Sequence, residues 1–414
     1  MELSDNNRGT YLERLADTGF FILLLTTFLS NHSIIGQAGL FLFMLTGCLL
    51  MFAKQKIHAS FYFIFMIVFI VYNYQLIRMG VSIDPSTSMA MIRTLILNYF
   101  FGFMLFNYLV IRDDLRRVLK LYLYAALIFT FVVAVLSGGN IFGSRLGDNI
   151  NFTGGDSLYN SNLIAIVAAF AYLIALYIYT LEKKRRFLWS IIWLVLIVLL
   201  TGSRKGIMMI IMETALLRFW LYPKKRIQNL LIFAVMGFVI CLALMSIPLL
   251  YQIAGSRFEA LLNVVLNREI EDASTETRLG LIRLGWSYFQ QRPWTGYGLD
   301  CFRYLLSSFE TYSHNNYIEM LVSGGIIGFI SYYLPNLVIL LKILFKSKKA
   351  HGLVKVVLIL FLVQQAMEFG MVTYYERAFL MILIFSLASF KLQIKNKQTD
   401  LVLLSKSEES LYES

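Results

Sequence analysis

The stretch NLIAIVAAFAYLIALYIYTL, residues 162–181, holds 20 residues and no charge. As a helix it is roughly 30 Å long, the thickness of the hydrocarbon layer of a bilayer. Glu182 and then Lys183, Lys184, Arg185 and Arg186 follow it. Working outward, similar blocks recur at 15–29, 34–53, 57–77, 90–111 and 118–136 before it. After it come 187–200, 206–222, 229–253, 317–345, 353–372 and 378–392. In lipid every backbone N–H and C=O must be satisfied inside its own segment, so blocks of this kind read as helices. Period-2 alternation is weak, which argues against a transmembrane barrel. The expected fold class is all-α: a polytopic membrane protein of about 12 transmembrane helices, with residues 1–414 forming one membrane domain.

Composition agrees. Hydrophobic residues make up 58% and charged residues 15%, and the mean hydropathy is +0.68. Soluble domains are richer in charge and poorer in apolar residues. The net charge is +12, but the bases do not form a nucleic-acid surface. They sit in alternate short loops: Lys54 and Lys56; Arg112, Arg116, Arg117 and Lys120; Lys183 to Arg186; Lys224, Lys225 and Arg226; Lys346, Lys348 and Lys349; Lys391, Lys395 and Lys397. By the positive-inside rule these loops face the cytoplasm, and both termini lie there too. Residues 393–414 read as a solvated cytoplasmic tail. No small-residue cleavage site follows the first block, so 15–29 reads as a membrane helix and not a signal peptide. Cys48 and Cys241 fall inside apolar blocks and Cys301 in a loop, with no zinc-ligand spacing and no disulfide framework.

The opposite face holds residues 78–89, 137–161, 201–205, 254–316 and 373–377. The loop 254–316, between the ninth and tenth spans, is long enough to suggest a function. Within it, Leu281, Ile282, Leu284, Trp286 and Phe289 give 277–291 the pattern of an amphipathic helix lying on the membrane or the bundle. Pro293 to Gly298 then reads as a turn.

Several residues on this face could carry chemistry. The long loop has Arg257, Arg268, Arg278, Arg283, Arg292 and Arg303 and no lysine. These arginines either pair with Glu259, Glu269, Glu271, Asp272 and Glu276 or bind an oxyanion, which a planar guanidinium grips bidentately. Arg204 and Lys205, in the turn TGSRKG at 201–206, stand against the inside-positive trend. They either snorkel at a helix end or mark a site, with Ser203 and two glycines adding donors and close backbone approach. The glycine-rich loop 137–161 carries Arg145 and, at its end, Asn160, with Asn162 just beyond. It is either a cradle for phosphate or sugar or a plain flexible loop. His314 stands alone on this face, either structural or poised as a general base for a sugar hydroxyl. Gly324 and Gly328 form a small-xxx-small face suited to helix packing. Glu213 and Glu368, inside spans, either pair with Arg218 or Arg377 or line a cavity.

Together these residues resemble a family. Thr201-Gly202-Ser203-Arg204 after a span, a large outer loop, Arg278 and Trp286, then Pro293, Gly296, Tyr297 and Gly298, then His314-Asn315 with Tyr317, Glu319 and the glycines of 324–328 look like the O-antigen ligase and polysaccharide polymerase superfamily. The earlier Arg145, Gly147, Asn160 and Asn162 resemble its preceding outer loop, although Ser161 stands where the family often has proline. The resemblance runs from about residue 144 to residue 333. It implies a C-type membrane glycosyltransferase fold. It also implies a donor glycan on undecaprenyl diphosphate and transfer on the outer face of the cytoplasmic membrane. The expected activity is polymerisation of lipid-linked repeat units for capsule, exopolysaccharide or O-antigen. The alternatives are an O-antigen ligase and, from another class, a transporter or flippase, for which no paired broken-helix repeats are evident. By the resemblance, Arg204 and Arg278 hold the diphosphate and His314 activates the acceptor, while Arg145, Ser203, Asn160, Asn162, Arg283 and Asn315 contact substrate. No Asp-x-Asp metal pair occurs in an outer loop, and neither metal nor cofactor is expected. The implied partners are the lipid-linked oligosaccharide, membrane lipid and other polysaccharide-assembly proteins, not nucleic acid.

Overall fold

Ser161–Glu182, the helix built on the quoted stretch, is the axis of the bundle. It is apolar on all sides, and almost every side chain from Ile164 to Ile178 is buried. A helix of that kind belongs in a core, not on a lipid face. In the computed structural model it is α6, and its neighbours α5 (Leu115–Ser137), α7 (Arg185–Leu200) and α8 (Arg204–Leu221) pack around it. The structure describes residues 2–30, 34–138, 145–147, 160–221, 273–305, 311–346 and 352–392, with isolated positions between 228 and 259.

The other described helices are α1 (Glu2–Ser30), α2 (Ile34–Lys54), α3 (Phe61–Arg78), α4 (Pro85–Arg112), α9 (Ala273–Gln291), α10 (Asn316–Lys346), α11 (Gly352–Met367) and α12 (Arg377–Leu392). Eleven of these twelve coincide with apolar blocks read from the sequence, and α9 is the amphipathic helix of the long loop. The expected ninth span, 229–253, and the tail 393–414 lie largely or wholly outside the described residues. Among the described residues, seven helices are long and apolar enough to cross a membrane: α2 to α6, α10, and α11 together with the 3-10 turn Glu368–Gly370 that continues it. The protein is a multi-pass, all-helical membrane protein. α7 and α12, at 16 residues each, fall short of that criterion. Each is roughly 24 Å long at 1.5 Å per residue.

The expected grouping of basic loops is visible in the ion pairs. Glu13 of α1 meets Lys54 and Arg112, at 2.7 and 3.1 Å, and Asp17 meets Arg112 and Arg117. Glu182, at the end of α6, meets Arg116, Lys120, Lys184 and Arg186. The links after α2, α4 and α6 therefore gather at one end of the bundle.

At the other end, the long loop enters the bundle and breaks a helix. Inside α10, Gly325 has φ 60° and ψ −164°, outside the helical region. The turn after α9 fills the break. Tyr297 N–H donates to Val322 O at 2.9 Å, Gly298 N–H to Ser323 O at 2.9 Å, and Ile326 N–H to Pro293 O at 2.8 Å. Tyr72 of α3 donates its hydroxyl to Gly324 O at 2.9 Å. The groups orphaned by the break are thus satisfied by another piece of chain, the condition under which irregular backbone persists at membrane depth. Side chains would prevent this approach. A Cβ on Gly296 would strike the Val322 carbonyl, and one on Gly325 the Trp294 carbonyl. Gly324 and Gly328 face Tyr72 as expected of a packing stripe, but the neighbouring Gly325 does something the stripe did not foretell.

Gly325→Ala is expected to cost about 2 kcal/mol or more, through strain and collision. Gly324→Ala, whose Cβ would reach Tyr72 only at 3.7 Å, should stay within about 0.5 kcal/mol of the parent. Thermal unfolding of the purified protein in detergent reads the difference. Equal melting temperatures would remove the break as the organising feature.

Candidate functional site

The turn between α7 and α8 is built by its own residues. Thr201 ends α7, its N–H bonded to Ile197 O. Gly202 takes φ 58°, which reverses the chain. Ser203 caps α8: its carbonyl accepts from Ile207 N–H and its Oγ from Gly206 N–H at 3.4 Å. Its hydroxyl donates to Asn162 Oδ1 at 2.9 Å. Arg145 donates to Thr201 O at 2.8 Å and to the same Asn162 oxygen at 3.3 Å. Asn160 accepts from Asn162 N–H and caps α6. Four expected substrate-binding residues, Arg145, Asn160, Asn162 and Ser203, therefore come together as a brace for the turn that presents Arg204 and Lys205. The glycine-rich segments 139–144 and 148–159 lie outside the described residues.

The second wall is α9. It packs on α10 through a small core of Leu281, Tyr297, Cys301, Phe302, Ile318 and Val322, and Gly285 lets it approach Ile318 closely. This leaves Arg278 half-buried and Arg283 exposed. Five residues of helix separate the two by about 140° around the axis, so Arg283 does not join Arg278. The other arginines of the loop divide. Arg303 pairs with Asp300 at 2.7 Å. Arg292 lies over the Tyr297 ring at 4.7 Å and donates to Val81 O. Arg257 and Arg268 lie outside the described residues. Arg278 has no hydrogen-bonding or ion-pairing partner among the described residues.

His314 forms the third wall. It sits in the turn before α10 with φ 57°, a conformation that costs a non-glycine residue energy and is held only by its surroundings. Ser313 N–H donates to Glu319 Oε2 at 2.9 Å. Asn315 Oδ1 accepts from Tyr317 and Ile318 N–H, capping α10, and its amide reaches Phe369 O at 3.2 Å. Asn315 is thus tied into the scaffold. Asn316 bonds Tyr333 and Glu368 through its amide, and its carbonyl oxygen accepts from Thr373 and Tyr374 N–H. The Glu368 carboxylate therefore accepts from Asn316, Tyr333, Gln365 and Thr373, and does not pair with Arg377. Glu213 likewise does not pair with Arg218: it is fully buried with no hydrogen-bond partner among the described residues.

The His314 ring stacks on Tyr312 at 4.3 Å, and its nitrogens have no hydrogen-bond partner among the described residues. Burial, with the charges of Arg278 and Lys205, lowers its pKa to about 4. The imidazole is therefore neutral at pH 7 and can accept a proton. The same electrostatics place His314, Arg278 and Lys205 in one neighbourhood, with Arg204 beside Lys205. Lys205 is partly buried, packs toward Gly370, and has no hydrogen bond or ion pair among the described residues. Sequence reasoning left it out of the expected substrate contacts, although its charge on the lysine-poor face was the available signal. The arrangement is a cationic cluster beside a neutral base. Among the described residues no group of three His, Cys, Asp or Glu side chains could hold a metal.

Residues distant in sequence hold the second wall in place. Ile83 N–H donates to Tyr297 O, Ser88 Oγ–H to Leu299 O, and Thr87 bonds the Tyr304 hydroxyl. The short link between α3 and α4 thus clasps the turn after α9.

Residues 189–333 match the family model described as O-antigen ligase. The match opens in α7 and ends in α10, taking in the 201–203 turn, α9 and His314. None of the curated proteins compared matches the chain.

Replacing Lys205 by Met or Arg278 by Gln should raise the His314 pKa from about 4 toward, but not to, the ordinary 6.5, because burial persists. NMR titration of His314, with the other three histidines replaced, measures it. A value unmoved in both variants would show that the cations do not face the imidazole.

Proposed function

We propose that the protein is a membrane glycosyltransferase of polysaccharide assembly that polymerises lipid-linked repeat units. The donor is a glycan on a polyprenyl diphosphate, of the undecaprenyl type, and the reaction takes place at the outer face of the cytoplasmic membrane. The observation that carries this reading is the cluster of Arg204, Lys205 and Arg278 beside a neutral His314.

The chemistry follows from charge. His314 accepts the proton of an acceptor sugar hydroxyl as that oxygen forms a bond to C1 of the donor sugar. The C1–O bond to the diphosphate breaks, and its electron pair stays on the diphosphate. Fixed cations stabilise the charge that develops there, a preorganised arrangement that needs no reorientation during the reaction. Guanidinium groups provide this without a metal ion. Attack opposite the leaving group inverts the anomeric centre. The lipid tail stays in the bilayer, which accounts for a site built at helix ends. The brace of Arg145, Asn160, Asn162 and Ser203 orients the turn, and Asn315 orients His314. The basic loops at the opposite end of the bundle face the cytoplasm by the positive-inside rule, so both termini lie there. A second reading, transfer of a finished glycan to a different acceptor, is favoured by the description of the matched family.

Purified protein, a defined lipid-diphosphate oligosaccharide and a chelator are combined, and the products are sized. A ladder of products supports polymerisation. A single transfer to a foreign acceptor supports the ligase reading. No turnover with any acceptor would overturn both. Arg204→Ala, Arg278→Ala and His314→Ala are each expected to lose at least about 100-fold in rate while remaining membrane-inserted. In the cell, a cysteine at position 314 should react with a membrane-impermeant maleimide from outside. Labelling only from inside would reverse the orientation and remove the site from its donor.

A further inference from the structure

A second cationic site lies at the opposite end of the molecule. Between the ends of α3, α4, α10 and α12 is a cavity of about 330 Å³, lined by Ser60, Phe61, Phe106, Lys342, Phe390 and Lys391 among others. It is roughly 39 Å along α10 from the His314 turn, counting 342 − 316 = 26 residues at 1.5 Å each. It therefore has no part in the glycosyl-transfer site.

The cavity walls are built. The segment ahead of α3 is stapled to α4 by the fully buried Asn107, whose Oδ1 accepts from His58 N–H and whose amide donates to His58 O. That fixes Ala59, Ser60 and Phe61 against the bundle. Both lysines are held on aromatic faces. Lys342 sits 4.7 Å from the centre of the Phe61 ring and 5.7 Å from that of Phe390, and Lys391 sits 5.2 Å from that of Phe106. Lys391 also donates to Ala59 O at 3.3 Å. Among the described residues no carboxylate lines the cavity. Ser60, the N-cap of α3, makes no side-chain cap bond, so the positive end of that helix adds to the field. The His58 imidazole reports the field: burial, then Lys391 and Lys56, lower its pKa.

The surroundings identify the ligand. From the cavity, the outward faces of α3 and α10 run as exposed apolar strips. Ile64, Ile67, Val68 and Val71 form one, and Leu337 and Leu341 belong to the other. A free anion would not need those strips, whereas a lipid with a charged phosphate head and apolar chains fits both parts. Basic pockets between membrane helices at headgroup level bind anionic lipids for this reason.

We infer that this cavity binds the phosphate headgroup of an anionic phospholipid, held by Lys342 and Lys391, with its acyl chains along α3 and α10. The test is native mass spectrometry of the purified full chain, with phosphatidylglycerol, phosphatidylcholine or inorganic phosphate added stepwise. Phosphatidylglycerol should bind at about tenfold lower concentration than phosphatidylcholine, roughly 1.4 kcal/mol. Lys391→Met, at an exposed position that leaves the fold intact, should weaken the preference, and Lys342→Met with Lys391→Met should abolish it. Lys355→Met, which removes a partly buried lysine of α11 outside the cavity, should keep it. Unchanged phosphatidylglycerol binding in the Lys391→Met and double variants would overturn the inference. So would equal affinity for phosphatidylcholine, or displacement of the lipid by an equal concentration of inorganic phosphate, which would mark a free-anion site.

Discussion

The end of the molecule that carries His314 depends on hydrogen bonds between two pieces of irregular backbone. α10 stops being helical at Gly325, and the turn 293–298 supplies the missing partners. In an apolar environment those partners are obligatory, because an unpaired N–H or C=O cannot turn to water. The insertion fixes the turn after α9, and with it the helix that carries Arg278. α10 begins only nine residues before Gly325 (325 − 316), immediately after the His314 turn. These backbone contacts thus tie together the two elements that carry the cation and the base.

The two ends of the bundle handle charge differently. At the basic end, Glu13, Asp17 and Glu182 pair with seven arginines and lysines, and ion-pair clusters of that kind tie loops together. At the other end, Arg278 and Lys205 approach each other and His314 with no carboxylate paired to either among the described residues. Like charges at close range are unfavourable unless an anion is present. An arrangement of that kind suits the multiply charged oxyanion of the proposed donor, and Asn162, Ser203 and Arg145 hold the turn that leads into Arg204 and Lys205. The low pKa of His314, about 4, comes first from burial and then from the charges of Arg278 and Lys205.

Much of the fold is legible in the sequence because a membrane imposes a simple rule: about 20 apolar residues in a row must be a helix. Eleven blocks read in this way appear as helices, and the amphipathic pattern of 277–291 appears as α9. The site is legible in part. Arg204, Arg278 and His314 stand out because they lie in loops other than the lysine-rich ones, and the structure places Arg278 and His314 near Lys205, the neighbour of Arg204. What pattern does not reveal is pairing between segments far apart. The glycines at 324 and 328 read correctly as packing, but the break at Gly325 depends on a turn about 30 residues earlier. Asn160 and Asn162 look alike in sequence, yet one caps its own helix and the other holds Ser203 and Arg145. Glu368 could have met Arg377, but Tyr333, Thr373 and Asn316 reach it instead, a choice made by three-dimensional neighbours and not by sequence distance.

The account turns on whether the cationic cluster binds a lipid diphosphate next to His314. A short-chain prenyl diphosphate, soluble enough to titrate, allows this to be measured directly by following the His314 resonance across pH with and without ligand. If the diphosphate occupies Arg204, Lys205 and Arg278, their charge is neutralised and the His314 pKa rises from about 4 toward 6.5. A His314 titration that is identical with saturating ligand would contradict the account.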